Sequence, residues 1–377
     1  MKKILILLII FLVSVNSFAD SWLLKVEGKE FSYNDFINDF KIYLKLNNQG
    51  KNISKYIKDK KFILKYFYAN YLVKKILLKY AKENYVKRRP KLKSALSKLL
   101  YKNAIAKFVQ YYHVSRFMKE PTDAQLKKMH KVMLKRGMIK PRFRNKPFKQ
   151  MKRTIARVYL HRQNQFLLAK FINSVQGSNR IIYNDDLEQN LIDKYTKDTY
   201  TLSQMSNAKN RYWLIKFNNQ IINMYQAETD IIRYLTVNAA KKQVNKYNNN
   251  KSYRIKMRKT LFRQLTDIYF LYFFAKNKGY LTSSRYKKNI NFVYQTLYLQ
   301  SFVAITFRPK AKQPTMAQIR KFYNSYKKTR FKKVTLKQAK GHIINRLKFI
   351  QLQRYQNNLF QRLKNRYKFK INTKLLK

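Results

Sequence analysis

The side chains that most often carry acid–base or metal chemistry are few and widely spaced in this sequence. It holds four histidines in 377 residues and no cysteine. A zinc site needs His, Cys or carboxylate ligands at short, defined spacings. His113, His130, His161 and His342 share no such spacing, and none has an acid within four residues. We therefore expect each histidine to be a surface or satisfied core residue, and we predict neither a metal nor a cofactor.

Carboxylates are also scarce, and their densest group lies in one polar stretch. Asp185, Asp186, Glu188, Asp193 and Asp198 make up five of the seventeen acids. A catalytic carboxylate pair needs two convergent acids and an environment that shifts a pKa. This stretch has no apolar flank, so we interpret it as a solvated linker. No serine lies in a nucleophile-elbow context and no glycine loop is present to bind phosphate, so we predict that the protein is not an enzyme.

The first nineteen residues are typical of a secretory signal peptide. Lys2 and Lys3 precede an apolar run from Ile4 to Val15, and small residues at Ser17 and Ala19 favour cleavage before Asp20. The run of about a dozen residues is short for a membrane span, which needs roughly 20. We expect export to the periplasm, with secretion as the second choice.

The formal net charge of +67 is the most unusual property of the composition. Such a charge repels itself and favours anionic partners, such as anionic lipid, lipopolysaccharide, acidic polypeptides or nucleic acid. A basic bias shared by the whole proteome is the alternative explanation. Nucleic acid is not an expected partner, because many of the aromatic residues follow helical stripes and are better explained by core packing.

Two series of landmarks recur about 190 residues apart and indicate an internal duplication. The two tryptophans, Trp22 and Trp213, each begin an apolar strand that reaches a turn signal. The six-residue patterns Pro-Thr-Asp-Ala-Gln-Leu from Pro121 and Pro-Thr-Met-Ala-Gln-Ile from Pro314 each place a threonine at a helix N-cap. The other helices are predicted at 33–46, 91–112 and 148–175 in the first half, and at 224–235, 285–307 and 336–366 in the second.

Each half also has a helix with a buried stripe at three- and four-residue steps. The stripe members are Phe62, Tyr66, Ala69, Val73, Ile76, Leu77 and Tyr80 in the first half, and Ile255, Leu261, Leu265, Ile268, Tyr269 and Tyr272 in the second. A short β-prone tail closes each half, at 180–183 and 367–371. Each tail is expected to pair with the opening strand of its own half or of the other half.

These patterns predict a mainly α protein with two tandem helical modules, each closed by a short β-strand pair. The predicted boundaries are 1–19 for the signal peptide, 20–183 for module 1, 184–212 for the acidic linker and 213–377 for module 2.

The order of these landmarks resembles the N-terminal chaperone domain of SurA/PrsA-type periplasmic foldases. The likeness is carried by Val26-Glu-Gly28 with Phe31-Ser32 and Asp35-Phe36, by Leu77 to Lys82, and by Pro121 to Leu126. The second half matches mainly by order. Members of that family also carry a parvulin prolyl isomerase domain of about 90 residues. The segments 127–147 and 321–335 are too short to hold one, so isomerase activity is not expected.

The resemblance implies an ATP-independent periplasmic chaperone that binds unfolded outer-membrane polypeptides. The alternative is a basic structural protein that binds polyanions, namely lipopolysaccharide, an anionic membrane surface or nucleic acid. No residue pattern singles out the peptide-binding side chains, and the oligomeric state is not encoded in any pattern we recognise.

Overall fold

The computed structural model describes residues 21–46, 53–88, 90–139, 147–175, 181–183, 213–217, 220–238, 241–327, 329, 331 and 334–376. The predicted signal peptide and acidic linker lie outside these residues.

The chain is mainly helical with small antiparallel strand pairs, which confirms the predicted fold class at that level. Helices predicted from periodicity and caps begin and end within a few residues of their expected bounds. The strands are β1 (Trp22–Val26), β2 (Lys29–Ser32), β3 (Ile181–Tyr183), β4 (Trp213–Phe217), β5 (Gln220–Asn223) and β6 (Phe369–Ile371). The helices are α1 (Tyr33–Leu46), α2 (Ile53–Lys58), α3 (Lys60–Tyr66), α4 (Leu72–Arg88), α5 (Pro90–His113), α6 (Asp123–Lys135), α7 (Phe148–Val175), α8 (Met224–Asn238), α9 (Lys241–Asn249), α10 (Lys251–Asn277), α11 (Ser284–Phe307), α12 (Met316–Tyr326) and α13 (Leu336–Arg366).

Two three-stranded sheets have the same construction. Sheet A has the order β2-β1-β6 and sheet B the order β3-β4-β5, with every pair antiparallel. In each hairpin the register shifts at the same place, between Trp22 and Leu24 or between Trp213 and Ile215. Each opening strand therefore pairs with the tail of the other half, which selects one of the two pairings that the sequence left open.

The turn between β1 and β2 also fastens the tail strand. Glu27 and Gly28 both have positive φ, at 49° and 76°, as a two-residue type I′ hairpin turn requires. The Glu27 N–H donates to the Lys368 carbonyl oxygen at 2.8 Å, and the Glu27 carboxylate accepts from the Lys368 N–H at 2.6 Å. The Tyr367 hydroxyl donates to the Glu83 carboxylate. One hairpin turn and one helix thus hold the last strand in register.

The described residues form two compact units. Unit 1 consists of the described residues within 1–104, 282–304 and 354–377, and unit 2 of those within 105–281 and 305–353. Each unit therefore contains segments from both predicted modules. The predicted modules are successive segments of the chain, whereas each compact unit includes a tail strand together with the opening strand of the other module.

In unit 1, an aromatic cluster packs α1 beneath sheet A. Phe36 and Phe40 of α1 are fully buried, and their ring centroids lie 6.0 and 4.7 Å from that of Tyr66. Phe67 and Tyr71 complete the cluster. The predicted stripe is wrong at one position here, since Ala69 is exposed. Residues Phe67–Tyr71 form a π-helical turn, which adds a residue to the turn and brings Phe67 and Tyr71 to the buried side.

In unit 2, sheet B packs on α10, where the rings of Phe217 and Phe273 stack at 5.0 Å. Two helix pairs add small cores of their own. The first helix of each pair, α6 or α12, begins at a predicted N-cap. Thr122 and Thr315 each form a capping box with the glutamine three residues later. The α6–α7 core contains Leu126, Met133, Ile139, Met151 and Ile155, and the α12–α13 core contains Ile319, Phe331, Val334, Ala339 and Ile343.

The exchanged pairing predicts a specific cross-link. Lys25 lies directly opposite Lys370, and directly opposed residues of antiparallel strands have Cα atoms about 4.5–5.5 Å apart, within the range of a disulfide. Because the chain has no cysteine of its own, a Lys25→Cys, Lys370→Cys variant should oxidise to a single intramolecular disulfide. Non-reducing electrophoresis and peptide mass mapping would detect it.

The matched control is Lys25→Cys with Ile182→Cys, because Ile182 lies opposite Lys216 and not opposite Lys25. It should stay reduced under the same conditions. Oxidation of the control in place of the first pair would mean that each tail pairs with its own half.

Candidate functional site

The four histidines lie in different surroundings and do not converge. His161 and His342 are exposed, and the latter ring contacts Phe331 at 6.3 Å. His130 lies beside Phe148, and its Nε2 atom is buried without a hydrogen-bond partner. Within the described ranges, no group of three or more His, Asp or Glu residues could hold a metal ion. The acidic group at 185–198 lies outside these ranges.

His113 is the histidine with the most structured environment. Its Nε2 atom lies 2.8 Å from the Tyr280 hydroxyl, and its ring stacks on Phe171 at 4.9 Å and meets the edge of Phe274 at 5.2 Å. Burial lowers the pKa of His113, and the nearby Arg116 adds to the effect. A neutral imidazole held by aromatic rings and one hydroxyl fits packing between α5, α7 and α10 in unit 2.

Unit 1 contains a partly buried ion pair between α1 and α4. The Lys75 ammonium lies 3.0 Å from the Asp39 carboxylate, and the two side chains are only 11% and 18% exposed. Lys75 also lies over the rings of Phe31 and Tyr71, at 4.9 and 4.7 Å from their centroids. Because the pair is shielded from water, each charge depends on the other for compensation.

Lys74 is next to this pair in the sequence, and none of the described carboxylates forms an ion pair with it. Its Nζ atom lies 3.5 Å from the centroid of the Phe292 ring and 3.5 Å from the Phe292 carbonyl oxygen. Burial lowers the pKa of Lys74 to about 7, with Asp39 opposing the shift and Lys75 adding to it. The Tyr71 hydroxyl nearby is buried and has no hydrogen-bond partner, and burial together with Asp39 raises its pKa. This part of unit 1 therefore holds an amine that is close to half-neutral at physiological pH.

In unit 2, a carboxylate at the corresponding place in the sequence is bound differently. Asp230 follows Asp39 by the 191 positions that separate the two tryptophans, and it is 2% exposed. It accepts hydrogen bonds from Tyr269 and, at 2.8 Å, from Arg233. Burial and the Asp230 charge raise the pKa of Tyr269. An acid thus anchors the first long helix in both halves, with a lysine as its partner in one and a tyrosine in the other.

The outward face of sheet B has exposed apolar side chains. Ile182 of β3 and Ile221 of β5 are 55% and 51% exposed and lie on either side of Lys216 in one cross-strand row. Among the described strands, none pairs with the outer edge of β3 or of β5. Exposed edge groups with apolar neighbours are what an added strand binds.

The same row in sheet A is charged. It consists of Lys370, Lys25 and Glu30, and Lys25 forms an ion pair with Glu30. Charged residues on an edge oppose the pairing of a further strand. The two sheets therefore share a register and differ in the side chains on their outer faces.

Comparisons with known proteins give no family for this chain: no family model, no curated protein and no solved structure matches it. Within the described part of the chain, no helix has both the length and the apolar character needed to cross a bilayer.

The low pKa of Lys74 predicts a distinctive stability profile. Between about pH 7 and the ordinary lysine range, the folded state binds fewer protons at this residue than the unfolded state, so its contribution to stability rises with pH. Replacing it by Lys74→Met removes the cost of a buried ammonium and should raise the free energy of unfolding by about 1–3 kcal/mol near pH 6. The gain should shrink towards pH 10, as urea midpoints measured across this range would reveal.

Lys75→Met is the control with the opposite sign. It leaves Asp39 partly buried without its ammonium partner, and should destabilise the protein by about 1–3 kcal/mol near neutral pH. Equal effects of the two substitutions would contradict the different roles assigned to these adjacent lysines.

Proposed function

We propose that the chain consists of two diverged copies of one module and acts as an ATP-independent periplasmic chaperone that holds unfolded outer-membrane polypeptides. The duplication is supported by equivalent contacts 191 positions apart. Ser32 and Asn223 cap the first long helix of each half, and Asp59 and Asn250 cap the helical segment that follows the polar stretch. The sheets add the same register shift in both hairpins. Residue identity at these positions differs, while the hydrogen bond is kept.

The observation that carries the chaperone proposal is the row of Ile182, Lys216 and Ile221 on sheet B, in which both isoleucines are exposed and lie on edge strands that no further described strand pairs with. An extended client segment would add beside β3 or β5 through main-chain hydrogen bonds, which do not depend on client sequence. Ile182 and Ile221 would cover its apolar side chains. Unfolded β-barrel polypeptides are rich in such alternating segments, and their own edges are what must be kept from pairing with one another.

The positive charge fits this role as a second contribution. A strongly basic surface accelerates the capture of acidic clients, and mutual repulsion keeps loaded complexes apart. The predicted signal peptide at 1–19 supports the proposed location in the periplasm. The segments 127–147 and 321–335 are too short for a parvulin domain, so the proposed function includes no isomerase activity. Binding without chemistry is sufficient for this function.

Charged residues in place of the exposed isoleucines of sheet B, as in sheet A, should weaken the binding of unfolded clients. In an Ile182→Lys, Ile221→Lys variant both substituted positions are about half exposed, so the urea midpoint should change little. Suppression of light scattering, measured as an unfolded outer-membrane barrel protein is diluted from urea at equimolar ratio, should fall several-fold because an added strand meets a charged row.

Met316→Lys with Phe349→Lys is the matched control in unit 2. Both residues are exposed apolar side chains on helices, at 42% and 47%, and the change in net charge is the same. The control should suppress aggregation as the unchanged protein does. Loss of holding in the control alone would assign client binding to helical surfaces instead, and no suppression by the unchanged protein would overturn the proposed function.

Salt separates this function from polyanion binding. Binding that rests on the release of counterions from a polyanion weakens steeply with salt, whereas apolar and main-chain contacts do not. We expect client holding at about 0.5 M NaCl to keep most of its low-salt value. A decline that parallels the loss of heparin binding over the same titration would favour the polyanion-binding alternative.

A further inference from the structure

Helix α6 has an apolar inner face and a strongly basic outer face. Leu126 and Met133 point into the small core shared with α7 and are 2% and 4% exposed. Lys127, Lys131 and Lys135 are exposed and follow one another at four-residue steps. At a rise of about 1.5 Å per residue, their Cα atoms form a row spaced by about 6 Å along the face that points away from α7.

This row is costly for the isolated helix. Like charges at i and i+4 destabilise a helix by about 0.2–0.5 kcal/mol for each pair. Asp123, the one acid of α6, lies in the first turn and is engaged by Lys152 of α7 at 2.7 Å. No carboxylate in the described part of the chain pairs with the three lysines. An external anionic partner would compensate the mutual repulsion of these three lysines.

Apolar side chains lie beside the lysines. Leu134, 37% exposed, follows Lys131 by three residues and so lies on the same face; Met138, 44% exposed, is in the turn after α6. The Arg162 guanidinium of α7 contacts the Met138 sulfur at 3.1 Å. Phe166, one turn beyond Arg162, is 68% exposed. The basic row therefore ends at a small apolar patch with a guanidinium within it.

We propose that the outer face of α6 docks on an anionic phospholipid bilayer surface. Lysines near such a surface are attracted to its phosphates, and exposed Leu, Met and Phe side chains enter the boundary between headgroups and acyl chains. A single-stranded nucleic acid would use the lysines but would need aromatic side chains among them to stack its bases. Leu134 lies beside the row, and the exposed ring of Phe166 lies on α7 and not among the lysines. The inference does not depend on the chaperone function.

The corresponding helix of the second half keeps a basic residue at the first position of the row, where Lys127 corresponds to Arg320, but it lacks the centre of the row and the apolar patch beside it. By the spacing of the two capping threonines, Lys131 corresponds to Asn324 and Leu134 to Lys327 in the α12 region, and Met138 corresponds to Phe331, which is buried. The docking face is therefore assigned to α6 and not to the repeated fold in general.

The test compares two triple variants of the full protein. Lys127→Gln, Lys131→Gln, Lys135→Gln removes the row on α6. Lys149→Gln, Arg153→Gln, Arg157→Gln removes an exposed row of equal charge and spacing on the side of α7 that faces away from α6. Binding to vesicles of phosphatidylcholine with about one third phosphatidylglycerol is measured by flotation at about 0.15 M salt.

We expect the α6 variant to bind these vesicles at least about tenfold more weakly and the α7 variant to bind within about threefold of the unchanged protein. A Leu134→Ser, Met138→Ser variant should lose the fraction of binding that survives at about 0.5 M salt. Unchanged urea midpoints would establish that each variant is folded.

Several results would overturn the proposal. Equal weakening by both triple variants would show that only total charge matters. Equal binding to pure phosphatidylcholine would remove the role of lipid charge. Stronger dependence of DNA binding than of vesicle binding on the α6 row would assign the face to nucleic acid, and preferential binding to lipopolysaccharide over the vesicles would assign it to that glycolipid.

Discussion

Each of the two sheets depends on a strand that arrives from the other half of the chain. Sheet A is completed by β6, more than 330 residues after β1, and sheet B by β3, which precedes β4 in the chain with residues 184–212 between them. The entropic cost of closing a loop grows only with the logarithm of its length, so the long connection to β6 adds little more than a loop of half that length. The long separation in sequence is expected to slow folding instead, because β1 cannot pair with its second neighbour until β6, near the end of the chain, has reached it. The contacts of Glu27 and Glu83 with the tail explain why so short a strand is held.

Those two acids belong to a wider pattern in a sequence that is nearly without acids. Asp39 and Asp230 anchor helices through a lysine or a tyrosine, and Asp59 caps a helix. These carboxylates each hold a particular hydrogen-bond donor or cation in place. Few other carboxylates in the described part of the chain are available to neutralise the lysines and arginines of the surface. A buried or capping carboxylate cannot be replaced by a lysine without leaving its donor unsatisfied. The surface is therefore largely positive, while Asp39 and Asp230 are shielded and Glu27 and Asp59 each accept a hydrogen bond from a backbone N–H group.

Much of the fold could be predicted from sequence because the signals were local. The strand at Trp22, the turn at Gly28, the capping threonines and the long helix 148–175 follow from alternation, glycine, caps and periodicity. The pairing of the tails could not be predicted, since both tails have the same β-prone character and fit either opening strand in the same register. The π-helical turn was missed because a single extra residue in a turn leaves the composition unchanged, and its effect is seen only at Ala69. One signal for the buried acids was present: Asp39 and Asp230 stand at equal distances from the two tryptophans.

The two sheets share the contacts that the fold requires and differ in the exposed side chains of their outer rows, which the fold does not require. The proposed duplication explains why the helix caps and the sheet register recur in both halves with changed residue types, since the fold of each copy would depend on them. An outer row that met only solvent would be expected to stay polar, because exposed isoleucines at an open edge invite aggregation. Sheet A follows that expectation with Lys370, Lys25 and Glu30, and sheet B does not, with Ile182 and Ile221 in the same places. The liability on sheet B is compensated by the repulsion between copies of a protein of charge +67. That repulsion would not act on an acidic or neutral polypeptide, which is why exposed isoleucines on so basic a protein support the proposed binding of clients.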